Sequence, residues 1–329
     1  MIRFHAFLAV AALAVGFLST AAPATAQSAR TWVSGVGDDA NPCSRTAPCQ
    51  TFAGAYGKTN AGGEIDCLDP GAFGSLGIQH AISIICDGVS NGGITVSAGS
   101  DAIDINANPS DVVVLSGLDI EGLGVGGSGI GFNSGRALYV RNCVIRDFTQ
   151  SGITFGETSN APVPLVLHVD NTTIENTASN AFNMLPTPSG IMVSPGPNAV
   201  HMTINRSQIV SNTYGIVVEG SSAAGMVSGV VRDSLVSDNS DNGISLADTT
   251  GSGAKVILMV DNVAVIDNGA NGLAASGANM GMRVRNSAIS GNGGGVNDTN
   301  SGNIVSYGNN SLNGNSGNDG VFSGALALK

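Results

Sequence analysis

Apolar and polar positions along this chain recur in blocks of about 25 residues, not at the spacing of an amphipathic helix. Eight segments align without gaps: VLSGLDIEGL, YVRNCVIRDF, HVDNTTIENT, TINRSQIVSN, VVRDSLVSDN, MVDNVAVIDN, RVRNSAISGN and SYGNNSLNGN. One apolar column runs Leu115, Val140, Val169, Ile204, Val231, Val260, Val284, Tyr307, at spacings of 25, 29, 35, 27, 29, 24 and 23. Five residues on, a second runs Ile120, Ile145, Ile174, Ile209, Val236, Val265, Ile289, Leu312. Between them stands a turn column: Gly117, Asn142, Asn171, Arg206, Asp233, Asn262, Asn286, Asn309. A third landmark, Gly152-Ile153, Gly215-Ile216, Gly243-Ile244 and Gly272-Leu273, follows some of the blocks.

Each block reads as three short strands. The first alternates and stops at Asn or Asp, residues that tolerate the left-handed region and hydrogen-bond locally. The second carries a small residue and an Ile inward. An Asn/Asp/Gly turn follows, and Gly-Ile opens the third. Three strands and three turns in about 25 residues make one rung of a β-solenoid. Stacked rungs pair as parallel strands about 4.8 Å apart, and stacked Asn side chains can bond in a ladder. The uneven spacing places insertions at a turn. A leucine-rich repeat is disfavoured, because L-x-x-L-x-L-x-x-N does not recur and the inward columns are Val and Ile.

The ends read differently. Residues 1–26 have the form of an export leader: Arg3 and His5, an apolar run from Ala6 to Phe17, and Ala24-Thr25-Ala26 as the cleavage site. That run is too short for a membrane span, and no later one is long enough. The expected organisation is leader 1–26, cap 27–62 with one helix over Thr51–Thr59, solenoid 63–316, and a C-terminal cap or tail 317–329. Val321-Phe322 and Leu326–Leu328 are expected to cover the last rung, which favours a monomer. The expected location is outside the cell or in the periplasm, where disulfides persist.

Five cysteines fit that setting. Cys43 and Cys49 flank a short Pro-containing loop and could clip it. Glu64-Ile65-Asp66-Cys67 aligns with Ser83-Ile84-Ile85-Cys86 at an offset of 19, with both thiols on the Ile face. Cys67 and Cys86 then form either a disulfide or a reduced stack, and export favours the disulfide. Cys143 falls in an inward column with Thr172, Ser207 and Ser234, as a buried, inert thiol.

Composition adds exclusions. Charged residues are 11% of the chain and glycines number 47, so helix is disfavoured and turns are many. The net charge of −11 argues against nucleic acid, and the lack of basic clusters against anionic membranes.

The repeat from Leu115 to Asn315, with Gly37, Asp39, Asn41-Pro42, Pro48, Thr51-Phe52, Ala55, Gly63 and Gly71-x-Phe73-Gly74 in the opening block, resembles the secreted proteins of the pectin-lyase-like superfamily. The resemblance implies an all-β fold: a single-stranded right-handed parallel β-helix with an N-terminal cap containing a short helix. It does not fix a reaction, since the fold hosts lyases, hydrolases, epimerases, adhesins and non-catalytic proteins. The N-T-D, G-H-G and R-I-K motifs of the hydrolases do not occur in the repeats, and the one D-D, Asp38-Asp39, lies in the cap.

In such enzymes the Gly-Ile strand floors the groove. Its outward positions are Thr154, Val217, Ser245 and Ala274, none titratable, whereas a hydrolase needs two carboxylates. Glu157, Glu219 and Asp248 follow those strands and form a candidate acidic row for calcium or for catalysis. No other cofactor is expected. A second candidate is an exterior strip, Tyr139, Arg141, His168, Asp170, His201 and Arg232, read either as a sugar-binding surface or as a charge ladder that fixes register. Arg146 with Glu121 and Glu175 makes a smaller ladder. Aromatic residues are only 5% of the chain, so few rings are available for sugar stacking. The leading expectation is a secreted non-catalytic surface or matrix component binding extracellular polysaccharide weakly. The alternatives are a polysaccharide lyase or hydrolase with an atypical site, and an adhesin-like rod.

Overall fold

In the computed structural model, which describes residues 27–89, 92–156, 164–177, 180–184, 199–220, 225–248 and 253–327, the turn column from Gly117 to Asn286 is left-handed at every position, with φ between 46° and 72°. A second left-handed column, Asp147, Asn176, Ser211, Asp238, Asp267, Gly291 and Gly314, stands two residues past the second inward Ile or its equivalent. Two such corners turn the chain through most of a rung. One rung is Lys255–Asp261, Ala264–Ile266 and Asn271–Ser276. Stacked rungs form a first sheet of 12 strands, a second of 10 and a third of 9 among the described residues, all paired in parallel. The Glu157 candidate and the leader lie outside the described residues.

Register follows the two apolar columns. Leu115 pairs with Val140, Val140 with Val169, and so on to Val284. The Ile column pairs from Ile120 through to Leu312. The last rung departs from expectation: Val284 faces Ser306, not Tyr307, and Gly308, not Asn309, is left-handed with φ 84°. This rung carries one extra residue before Leu312, absorbed at the turn.

The interior is polar only where neighbouring rungs satisfy it. Asn212, Asn239, Asn268 and Asn292 are at most 3% exposed. Asn239 Nδ2 donates to Asn268 Oδ1 at 2.8 Å, Asn268 Nδ2 to Asn292 Oδ1 at 2.8 Å, and Asn292 Nδ2 to Asn315 Oδ1 at 2.9 Å. The same oxygens accept the backbone N–H of the preceding rung. Thr177 begins this ladder and the Asp319 carboxylate ends it. In a parallel run of small residues, the hydroxyls of Thr172, Ser207 and Ser234 accept the backbone N–H groups of Cys143, Thr172 and Ser207 in the same way. Cys143 is the free cysteine and is buried.

The landmark glycines Gly215, Gly243 and Gly272 have a steric reason. A Cβ on Gly243 would lie 2.8 Å from the Gly272 carbonyl oxygen and 2.9 Å from the ladder amide of Asn268. Only a residue without a side chain lets rungs stack this closely.

At the N-terminal end the helix is shorter than expected, Phe52–Tyr56. Thr51 caps it, and Gly57 and the following strand, which starts at Thr59, end it. The sheet also begins earlier: Ser28–Val33, inside the expected cap, pairs with Thr59–Cys67. Disulfides join Cys43 to Cys49 and Cys67 to Cys86. At the other end Phe322 packs on the core, but Val321 is 80% exposed and Leu326 37%, so those two do not cover the last rung.

Candidate binding face and acid pair

The long alternating strands of the first sheet point every second side chain outward. Tyr139, His168, Thr203, Val230, Met259 and Arg283 occupy one outward column in consecutive rungs. Arg141, Asp170, Asn205, Arg232, Asp261 and Arg285 occupy the next. The Tyr139 and His168 rings stand side by side with centroids 5.8 Å apart, and the Arg141 guanidinium lies 5.3 Å from the Tyr139 centroid. Burial lowers the His168 pKa; Asp170 opposes this, and Arg141 and Arg206 add to it. His201 lies one column away and its Nδ1 contacts Ser228 Oγ at 2.8 Å. The rungs from His201 to Tyr307 enclose a shallow hollow bounded by Val230, Ile257, Met259 and Arg283.

Within this strip the charges pair otherwise than simple alternation suggests. Asp170 is held by Arg206 at 2.5 Å, from the turn after the next strand, and by Asn205 at 2.7 Å. Arg232 reaches Asn205 at 3.1 Å and Asp233 at 3.7 Å. Arg285 pairs with Asp261 at 2.6 Å, and this hydrogen bond holds the Asp261 carboxyl below its ordinary value. Among the described residues Arg141 and Arg283 have no carboxylate partner. On the second sheet Arg146 bonds Asp119 at 2.5 Å and Glu121 at 3.1 Å, so Asp119 takes the place expected of Glu175.

Of the acidic row, Glu157 lies outside the described residues and the other two members do not share a register position. Glu219 is in register with Ala247, so Asp248 lies one position beyond it. Asp248 is 5% exposed and accepts the Gly253 N–H at 3.0 Å. Glu219 is half-buried, and burial raises its pKa. Among the described residues no three His, Cys, Asp or Glu side chains gather as a metal site.

The floor of the third sheet does carry an acid, upstream of the aligned repeats. Thr154 pairs with Gly131 and Gly131 with Asp104, so Asp104 stands in the floor column. A Cβ on Gly131 would lie 2.7 Å from Asp101 Oδ2 and 3.7 Å from Asp104 Oδ1, so both carboxylates crowd the space above that glycine. Asn133 and Asn106 donate to Asp104 at 2.6 and 2.7 Å, and the Ser128 N–H donates to Asp101 at 2.7 Å. Burial, and then the Asp104 charge, raise the Asp101 pKa. Sequence reading missed this pair because the rungs before Leu115 lack the Gly-Ile landmark.

Comparison with known proteins agrees with this architecture. Residues 83–258 match the family described as right handed beta helix region, and the chain belongs to that family. Among solved structures it is similar to the pectate lyase Pel9A, at 15% identity and a TM-score of 0.50, covering 88% of this chain and 71% of that one. It is also similar to the A-module of the mannuronan C-5 epimerase AlgE4 from Azotobacter vinelandii, at 13% identity and a TM-score of 0.39, covering 84% and 93%. No curated protein matches. At these identities the likeness concerns the fold alone, that of the pectin-lyase-like right-handed β-helix.

Proposed function

We propose that this is an exported, non-catalytic β-helix protein that holds an extracellular polysaccharide on the outer face of its first sheet. The observation that carries the reading is the Tyr139–His168 ring pair with Arg141 over it, an amphipathic platform on a rigid sheet. Aromatic faces offer apolar contact, and the flanking polar groups give direction. Export is supported by the two disulfides and by the form of residues 1–26. The test is a glycan array read with the wild-type chain and with Tyr139→Ala, which should lose its signals while keeping its melting temperature. Signals unchanged in that variant would move the site elsewhere.

A second reading, a glycoside hydrolase acting on the third sheet, is favoured by Asp101 and Asp104. Two carboxylates whose surroundings differ are the arrangement acid–base chemistry uses. Release of reducing ends from any glycan, abolished in Asp101→Asn, would select this reading.

A further inference from the structure

The later rungs of the first sheet are apolar on the side that faces outward. Val230, Met259, Arg283 and Val305 follow one another in one outward column, and Ile257 and Gly281 in the column beside it. The four apolar side chains are each half-buried, although they point away from the core. Two hollows open among them. One, of about 370 Å³, reaches from His201 to Arg283 and Tyr307. The other, of about 330 Å³, lies over Gly281 between Lys255 and Val305. Ile257 and Arg283 line both, so the two hollows meet at that pair. Gly281 keeps the space open: a Cβ there would meet nothing closer than 3.7 Å, so a side chain would fit where none stands.

The charges at this place are uncompensated. Lys255 and Arg283 are exposed, line the same hollow, and have no carboxylate partner among the described residues. Asp261, on the strand before Arg283, is already held by Arg285 and Asn286. At the opposite end the polar groups satisfy each other, His201 Nδ1 lying 2.8 Å from Ser228 Oγ. The hollow is therefore cationic at one end, apolar in the middle and neutral at the other end. Apolar side chains gathered on an outer face mark a contact surface. Two cations without partners at its edge add the sign of what it contacts.

We infer that the hollow at Arg283 takes a small amphipathic organic acid, its carboxylate on Arg283 and Lys255 and its apolar body over Ile257, Val230 and Met259. This goes beyond the glycan-holding reading in both ligand and place: Tyr139 stands five rung steps from Arg283, about 24 Å at the spacing of parallel strands. The guanidinium fork matches a carboxylate, and the ammonium adds a point charge beside it. The body is set by burial. A sugar acid or inorganic phosphate would satisfy the cations but leave the apolar walls wet, whereas an alkyl chain or an aromatic ring takes that surface out of water. Each hollow is near the lower end of the range of small-molecule sites, roughly 300–1,000 Å³, which suits one ring or one short chain. The negative charge of the whole molecule does not prevent binding, because screening at physiological salt limits each charge to about 8 Å.

The test titrates the full mature chain with phenylbutyrate and decanoate, their primary amides, galacturonate and inorganic phosphate, by calorimetry at low salt. The variants are Lys255→Gln/Arg283→Gln, Met259→Gln and Tyr139→Ala, each verified as folded by a melting curve. At least one of the two acids should bind saturably, and the tighter one assigns ring or chain. Its amide should bind the wild type roughly tenfold more weakly, and the double glutamine variant should lose about the same factor for the acid, in line with loss of charge-assisted hydrogen bonds. The two losses should not add, so the double variant should hold the amide as the wild type does. Met259→Gln should weaken acid and amide alike. Galacturonate and phosphate should bind at least tenfold more weakly than the better acid, and Tyr139→Ala should leave that acid's affinity unchanged. Equal affinity for acid and amide, or an acid held as tightly by the double variant, would overturn the charged end of the site. Galacturonate or phosphate matching the better acid would overturn its apolar body. Failure of both acids to bind would defeat the inference, and loss of binding in Tyr139→Ala would move the ligand to the ring pair and defeat it as well. The glycan-holding reading is decided separately, by the array signals.

Discussion

Arg141 lies over the ring of Tyr139 on its own strand, and leaves Asp170, its register partner on the next rung, to Arg206 and Asn205. The pairing of the strip is thus offset: Asp170 is neutralised from a turn, and the cation opposite it stays available.

Asp170→Ala should therefore cost little stability, about 1 kcal/mol at most, as for other exposed pairs. Urea unfolding measures it. A loss several times larger would mean that the carboxylate holds the turn at Arg206 in place.

The His168 imidazole should titrate below its ordinary value of 6.5, because burial and the charges of Arg141 and Arg206 disfavour its proton. For a folded pKa below the unfolded one, the contribution to stability is present above the unfolded value and is lost as pH falls through the folded one. Histidine ring resonances followed by NMR give the midpoint. Arg141→Ala should raise it and Asp170→Asn should lower it; the reverse order would contradict the geometry.

Burial pushes the Cys143 thiol up to about 12. A maleimide should not modify it in the native protein at neutral pH and should do so on unfolding, since the thiolate is the reactive form. Rapid native labelling would refute the inward assignment.

Asn239→Ala should cost about 3 kcal/mol, because it strips partners from the Asn212 N–H, the Asn268 side-chain oxygen and the Ile209 carbonyl in a dry interior. Asn262→Gly, in the exposed turn column at φ 56°, should stay within about 0.5 kcal/mol. Equal costs at the two sites would dissolve the distinction between inner ladder and outer turn.

Gly243→Ala should lose about 1–3 kcal/mol by overpacking against Gly272 and Val265. A neutral result would show that the rungs can separate locally.

Much of this was legible in the sequence because a two-residue period and a left-handed corner leave few alternatives. Val140, Ile145 and Asn142 each fell where the alignment placed them. The inner ladder left a signal that was read only as a turn: five consecutive aligned segments end in Asn, at 212, 239, 268, 292 and 315. What showed that they face inward was burial, and Asn171, an exposed turn residue, looks the same in sequence. Tyr307 was misplaced because one inserted residue slides a polar segment without disturbing Leu312. Within the acidic row a single position separates Glu219 from alignment with Asp248, because register at a strand end depends on where the loop leaves. Asp101 and Asp104 are three residues apart on one rung, and only the stacking of Gly131 from the next rung against Asp104 shows that both carboxylates face the same space.

The amide ladder has a direction. Along the side chains every amide donates to its C-terminal neighbour's oxygen, Thr177 supplies the leading donor, and Asp319 closes the series as a pure acceptor. Like a polymer with distinct initiating and terminating groups, such a series can be lengthened in the middle but not truncated at either end without leaving an orphan. A duplicated 29-residue unit spliced between Asn239 and Asn268 would find a donor above and an acceptor below already waiting. The two ends of the ladder are thereby fixed in kind, while the number of interchangeable units between them is free to drift.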